Sequence, residues 1–98
     1  MIKVTQTWIR PNLETPFFKT NDIMRAYIDH YAKLGKATIH RVDDASGSLT
    51  VSMVAIYADE AAKEEYLNDP EILKLKAVRQ AYNAQYNIIE AEPTVEII

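Results

Sequence analysis

Apolar and polar positions alternate along two neighbouring stretches, ATIHRV and LTVSMVAIY, that flank the polar run DDASGS. The first is rich in β-branched residues, and the second adds Val51, Val54 and Ile56, the side chains that suit a pleated, half-buried surface. Asp43, Asp44, Ser46 and Gly47 supply turn chemistry between them. The pattern predicts a hairpin of strands 37–42 and 49–57, and the rest of the chain can be placed around it.

Ahead of the hairpin, 2–10 has period-two character, with Ile2, Val4 and Trp8 on one side and Lys3, Thr5, Thr7 and Ile9 on the other. Pro11 and Pro16 then punctuate a connection carrying Phe17 and Phe18, two rings expected to fold back over apolar surface. Thr20 or Asn21 can cap a helix over 22–34, with Asp22 suited to its positive end and Gly35 to the left-handed residue beyond it. Ile23, Tyr27, Tyr31 and Leu34 form its expected buried stripe, widened by Met24 and Ile28.

After the hairpin, Asp59 can cap a helix that breaks at 68–70 and restarts, since Asp69 before Pro70 pairs an N-cap with the residue favoured at the first helical position. The restarted helix is expected to bury Ile72, Leu75 or Leu73, Val78 and Tyr82, with Lys76 and Arg79 outward. A last strand is predicted from about Tyr86 to Glu92, and Pro93 confines TVEII to an edge or a separate extension.

The order strand, helix, strand, strand, helix, strand predicts an α+β, ferredoxin-like βαββαβ fold. Right-handed crossovers then place strands one and three centrally, two and four at the edges, and both helices on one face of a four-stranded antiparallel sheet. The other face is left uncovered. If even positions pair with even across the hairpin, Thr38, His40, Val42, Thr50, Ser52, Val54 and Ile56 share that face. It is too aliphatic for a simple solvent face, and the run from Met53 to Ala58 is apolar on both sides, as a doubly covered strand would be. The expected cover is a second copy, giving a homodimer.

Element order, length, the broken helix around YLNDPEILKLK and the apolar third strand together resemble the dimeric α/β barrel superfamily, which includes the antibiotic-biosynthesis monooxygenase-like proteins. The resemblance covers nearly the whole chain and rests on order and pattern, without a diagnostic motif. It implies two facing sheets that enclose ligand pockets, and activities that range from cofactor-independent oxygenation to haem degradation and isomerisation. The haem-degrading members carry a His on the second helix, which is absent here, so no catalytic residue is carried over.

Composition narrows the function without naming it. The 98 residues, 48% hydrophobic and 26% charged, describe one domain over 1–98. A net charge of −3 and 11 scattered Lys and Arg without a basic run give no sign of attraction to a phosphate backbone, so nucleic acid is not expected as a partner. With no cysteine there is no disulfide framework, thiolate nucleophile or Cys-based metal site, and no cofactor is called for. No apolar run is long enough to span a bilayer and no signal-peptide core is present, so the expectation is a cytoplasmic protein without a membrane partner.

Candidate chemistry is sparse. His40 on a semi-enclosed sheet face could act as a general base or orient a polar ligand, and equally fits an ordinary surface or interface histidine. Thr50 and Ser52 project from the neighbouring strand, and Trp8 with Phe17 could close a hydrophobic pocket over them or serve in packing. Those five residues form the candidate binding site for a small apolar or aromatic molecule. No metal site is expected from His30 and His40, which lack acidic partners at ligand spacing. The function classes are therefore an enzyme or small-molecule binder of the barrel type, or a non-enzymatic assembly or accessory protein whose open sheet is only an interface.

Overall fold

The strand β1 (Ile2–Ile9) runs through the middle of an antiparallel sheet, and the computed structural model describes residues 1–43 and 47–98 around it. The order is β1, α1 (Asp22–Lys33), β2 (Ala37–Asp43), β3 (Thr50–Tyr57), α2 (Glu60–Asn68), α3 (Pro70–Gln85), β4 (Ile89–Glu90) and β5 (Thr94–Ile97). In the sheet the strands run β2-β3-β1-β4, with β5 also on β1. This is the expected ferredoxin-like arrangement with one strand added. Asp44 and Ser46 of the expected turn lie outside the described residues, while Gly47 has the left-handed φ of +99° that a turn glycine supplies.

The helix boundaries fall where the capping chemistry places them. Asn21 Oδ1 accepts from Met24 N at 2.9 Å, Asp59 Oδ1 from Ala62 N at 2.8 Å and Asp69 Oδ1 from Glu71 N at 2.8 Å. Gly35 ends α1 with φ +69°. The last strand is shorter than expected, because Tyr86 N still bonds back to Tyr82 O and Asn87 turns the chain at φ 58°. Beyond that turn, β4 pairs with Trp8 and Ile9, and past Pro93 β5 pairs with Ile2 to Thr5, so both lie along one edge of β1.

Pairing of Ala37 and Ile2 with Tyr57, and of Ile39 and Val4 with Ala55, puts these side chains on the helix-covered face. There Ile28 and Tyr31 of α1, Tyr66 of α2 and Ile72 of α3 meet them in the main core. Tyr66 stacks edge-on against Tyr31 at 5.0 Å and lies 5.7 Å from Tyr57, contacts worth about 0.5–1.5 kcal/mol each beyond area burial.

Two helix faces differ from expectation. In α1 the core takes Ile28 and Tyr31, and leaves Ile23, Tyr27 and Leu34 exposed. Two apolar stripes run along this helix, centred about 100° apart on a helical wheel, and only one can face the sheet. In α3 Val78 is exposed and Leu73 with it, whereas Arg79 is half-buried and Asn83 buried. Arg79 can turn inward because its guanidinium lies over the Trp8 ring and is met by Glu90. No helix among the described residues is long and apolar enough to cross a membrane.

Candidate functional site

The uncovered face is built by the other parity of the same strands. His40 pairs with Val54, Val42 with Ser52 and Thr38 with Ile56, and on the far side of β3 Thr5 pairs with Val54 and Thr7 with Ser52. His40 is exposed, and Ser52 is its diagonal neighbour. The Ser52 and Thr7 hydroxyls share a hydrogen bond of 2.9 Å, and Thr50 Oγ1 lies 3.2 Å from Ser48 Oγ. Val54, at the centre, is 8% exposed although no helix covers it, shielded by the side chains around it. Ile9, Val42 and Ile89 remain exposed at the borders.

Trp8 and Phe17 are on the opposite side of the sheet. Trp8 is buried with Val51 and Ile88, and Phe17, Met53 and Tyr82 pack against them. Three guanidiniums surround this group: Arg79 lies 5.1 Å from the Trp8 ring, and Arg10 and Arg41 lie 4.7 and 5.7 Å from Phe17. The loop bearing Phe17 is held by Arg10, which donates to Ser48 O and Thr15 O, and by the Tyr82 hydroxyl, which donates to Pro16 O at 2.7 Å. Burial pushes the Arg79 pKa below its ordinary value, with Glu90 opposing. Among the described residues neither Trp8 Nε1 nor Arg79 Nε has a hydrogen-bond partner.

The structure thus puts His40, Thr50 and Ser52 on one face, with Ser52 diagonal to His40 and Thr50 at the next same-face position beyond Ser52, and separates them from Trp8 and Phe17 by the thickness of the sheet. Two open concavities occur elsewhere, one of about 520 Å³ against α1 and one of about 310 Å³ between Gln6, Lys76, Gln80 and 90–93. Among the described residues no three His, Asp or Glu side chains are grouped to hold a metal ion.

No family model and no curated protein matches this chain. Solved structures do. A Deinococcus radiodurans protein, provisionally described as an antibiotic biosynthesis monooxygenase, matches with a TM-score of 0.59 at 11% identity, over 100% of this chain and 92% of its own. Another antibiotic biosynthesis monooxygenase matches with a TM-score of 0.55 at 16% identity, over 100% and 96%. The chain has the antibiotic-biosynthesis-monooxygenase fold. At such identities the likeness is one of fold alone. A dimeric ferredoxin-like protein from an uncultured marine organism is more distant, with a TM-score of 0.47 at 15% identity over 99% and 95%.

Within this ferredoxin-like fold the open face offers an imidazole, a hydroxyl pair and an aliphatic centre, a set that can orient a polar group on an otherwise apolar molecule. Thr7 is not among the sequence candidates, although its parity already puts it with Thr5 and Ile9. Only the register of β1 against β3 shows that its hydroxyl meets Ser52. The inward turn of Arg79 has no signal in a helix where lysines and arginines alternate with apolar residues.

Proposed function

We propose that the protein is a homodimer closed through the open sheet face, and that it holds a small, largely apolar molecule against His40, Thr50 and Ser52. The observation that supports this most directly is the composition of the face: Val54 and Ile56 at its centre, Ile9 and Val42 at its margins, and a hydrogen-bonded hydroxyl pair among them. A solvent face does not need those aliphatics, and a second copy covers them about a twofold axis with the same set. Enclosure between two sheets lowers the local dielectric and makes the His40 and Ser52 hydrogen bonds selective. Trp8 and Phe17 back the site from behind the sheet instead of lining it. Cofactor-independent oxygenation of such a molecule is the enzymatic form of this reading, with His40 as the group that takes or gives a proton; the two better-matched solved structures are described as antibiotic biosynthesis monooxygenases, one of them provisionally.

A second reading, a non-enzymatic assembly protein, is favoured by one feature: the hollows of about 520 and 310 Å³ are open to the surface and are lined by none of His40, Thr50 and Ser52. Titration with 2-naphthol, followed by the NMR signals of the His40 imidazole in a sample shown by sedimentation to be dimeric or larger, separates the two. A saturable shift that is weakened in Ser52→Ala supports the binder. A dimer with no shift leaves the assembly protein, and a monomer at micromolar concentration removes both.

A further inference from the structure

The outer surface of α1 carries a second apolar stripe that nothing among the described residues covers. Ile23, Tyr27, His30 and Leu34 succeed one another at spacings of four, three and four, the spacing of a coiled-coil seam. Ile23 is 73% exposed, Tyr27 41% and Leu34 52%. Ala26 sits beside the seam, and with Ile23, Tyr27 and His30 it lines the hollow of about 520 Å³. A small residue flanked by larger ones makes a hole for a knob from another helix.

The stripe is complementary to itself when reversed. If a second α1 lies antiparallel across it about a twofold axis near the middle of the helix, Ile23 faces Leu34 of the partner helix and Tyr27 faces His30. Aliphatic meets aliphatic at both ends, and the two rings meet between them. The charges agree with this direction, because α1 begins with Asp22 and ends with Lys33. Antiparallel packing brings each helix's acidic end to the other's basic end and opposes the two helix dipoles. A parallel pair would place like charge beside like charge at both ends.

We infer that α1 is an interface to a second copy of this chain, packed antiparallel along Ile23, Tyr27, His30 and Leu34. The contact lies on the helical side of the sheet, so it does not compete with closure of the open face. It is small, a single helix of 12 residues on each side. By itself it falls below the area of a standard interface, and two such contacts acting together join sheet dimers into a tetramer.

The chain has no cysteine, which makes the register directly testable. In the double variant Ile23→Cys/Leu34→Cys the two thiols lie about 16 Å apart within one helix, too far to bridge, whereas the antiparallel contact juxtaposes them between chains. Mild oxidation should cross-link the double variant into covalent pairs at least tenfold faster than either single variant. Failure of the double variant to cross-link overturns the inference, and so does equal cross-linking of the Ile23→Cys single variant, the signature of a parallel pair. Adding Val54→Lys should leave the cross-link in place, so the α1 contact is tested whether or not the sheet faces associate. Sedimentation provides the second measurement: Tyr27→Glu, an exposed change that should keep the circular dichroism of the wild type, should halve the particle mass, and an unchanged mass overturns the inference.

Discussion

The Tyr31 hydroxyl donates to Oδ2 of Asp69, the same carboxylate whose Oδ1 caps α3 by accepting the Glu71 N–H. One side chain thus ties α1 to the point where the second helix breaks and restarts. Its pKa is lowered, first by the Tyr31 hydrogen bond and then by the backbone N–H groups of Glu71 and Ile72, with desolvation opposing. A depressed carboxylate contributes stability above its unfolded value near 3.8 and loses it as pH falls through the lower folded value. Thermal unfolding should therefore show Tm falling below about pH 4, and the fall should be shallower in Asp69→Asn. Tyr31→Phe should cost about 1–2 kcal/mol at neutral pH, measured by urea denaturation.

At the alkaline end the sign reverses. Burial pushes Tyr57 up to about 12, and burial together with the Asp69 carboxylate pushes Tyr31 up to about 12, while Tyr66 is raised too, mainly by desolvation. Between pH 10 and about 12 the unfolded chain loses these protons and the folded one keeps them, so stability falls as pH rises. Phenolate absorbance should report cooperative ionisation of several tyrosines at the unfolding step. Tyr57→Phe should make the decline less steep.

Local chemistry made much of this fold legible in the chain. Asn21, Gly35, Asp59 and the Asp69-Pro70 pair each act through a side chain or backbone preference that does not depend on distant residues, and each marks the boundary expected of it. Period two likewise sorted each hairpin strand into two faces, but the pairing of even positions with even came only from the structure. What required the structure was every choice between equivalent surfaces. Period 3.6 could not decide whether Ile23 or Ile28 faces the sheet, because α1 carries two apolar stripes. Nor could alternation along β1 decide that Trp8 joins the helix-covered side while His40 belongs to the open one, since that depends on pairing between strands distant in sequence. The candidate site was divided at that step.

Trp8 and Arg79 provide a test of the aromatic cluster with its own reporter, since Trp8 is the sole tryptophan. Arg79 covers the ring at 5.1 Å but meets Glu90 only at 3.5 Å, and its Nε has no partner among the described residues. Removing a poorly satisfied charge while keeping its aliphatic stem should cost little, so Arg79→Met should change stability by less than about 1 kcal/mol. Trp8→Ala, which empties the centre of the cluster, should cost about 3–5 kcal/mol. Urea unfolding monitored by circular dichroism measures both. Arg79→Met should also shift Trp8 emission, because a positive charge is withdrawn from the indole face.

The connection between β1 and α1 should resist proteolysis despite its length and two prolines. Phe17 and Phe18 are both half-buried: Phe17 packs into the Trp8 cluster under Arg10, and Phe18 lies 5.5 Å from the Tyr82 ring. Cleavage needs the segment to open, and opening breaks the Arg10 bonds to Ser48 O and Thr15 O and the Tyr82 bond to Pro16 O as well as exposing both rings. Arg10→Ala removes the cation over Phe17 together with two of those anchors. At about 1.4 kcal/mol per tenfold change in an open population, losing one to two kcal/mol of local stability should speed chymotrypsin cleavage after Phe17 or Phe18 by roughly 5- to 30-fold. Tyr82→Phe keeps the ring contact and loses only the Pro16 bond, so its effect should be smaller. Cleavage of the unmodified protein in this segment as fast as the Arg10→Ala variant would show that these anchors do not hold the loop.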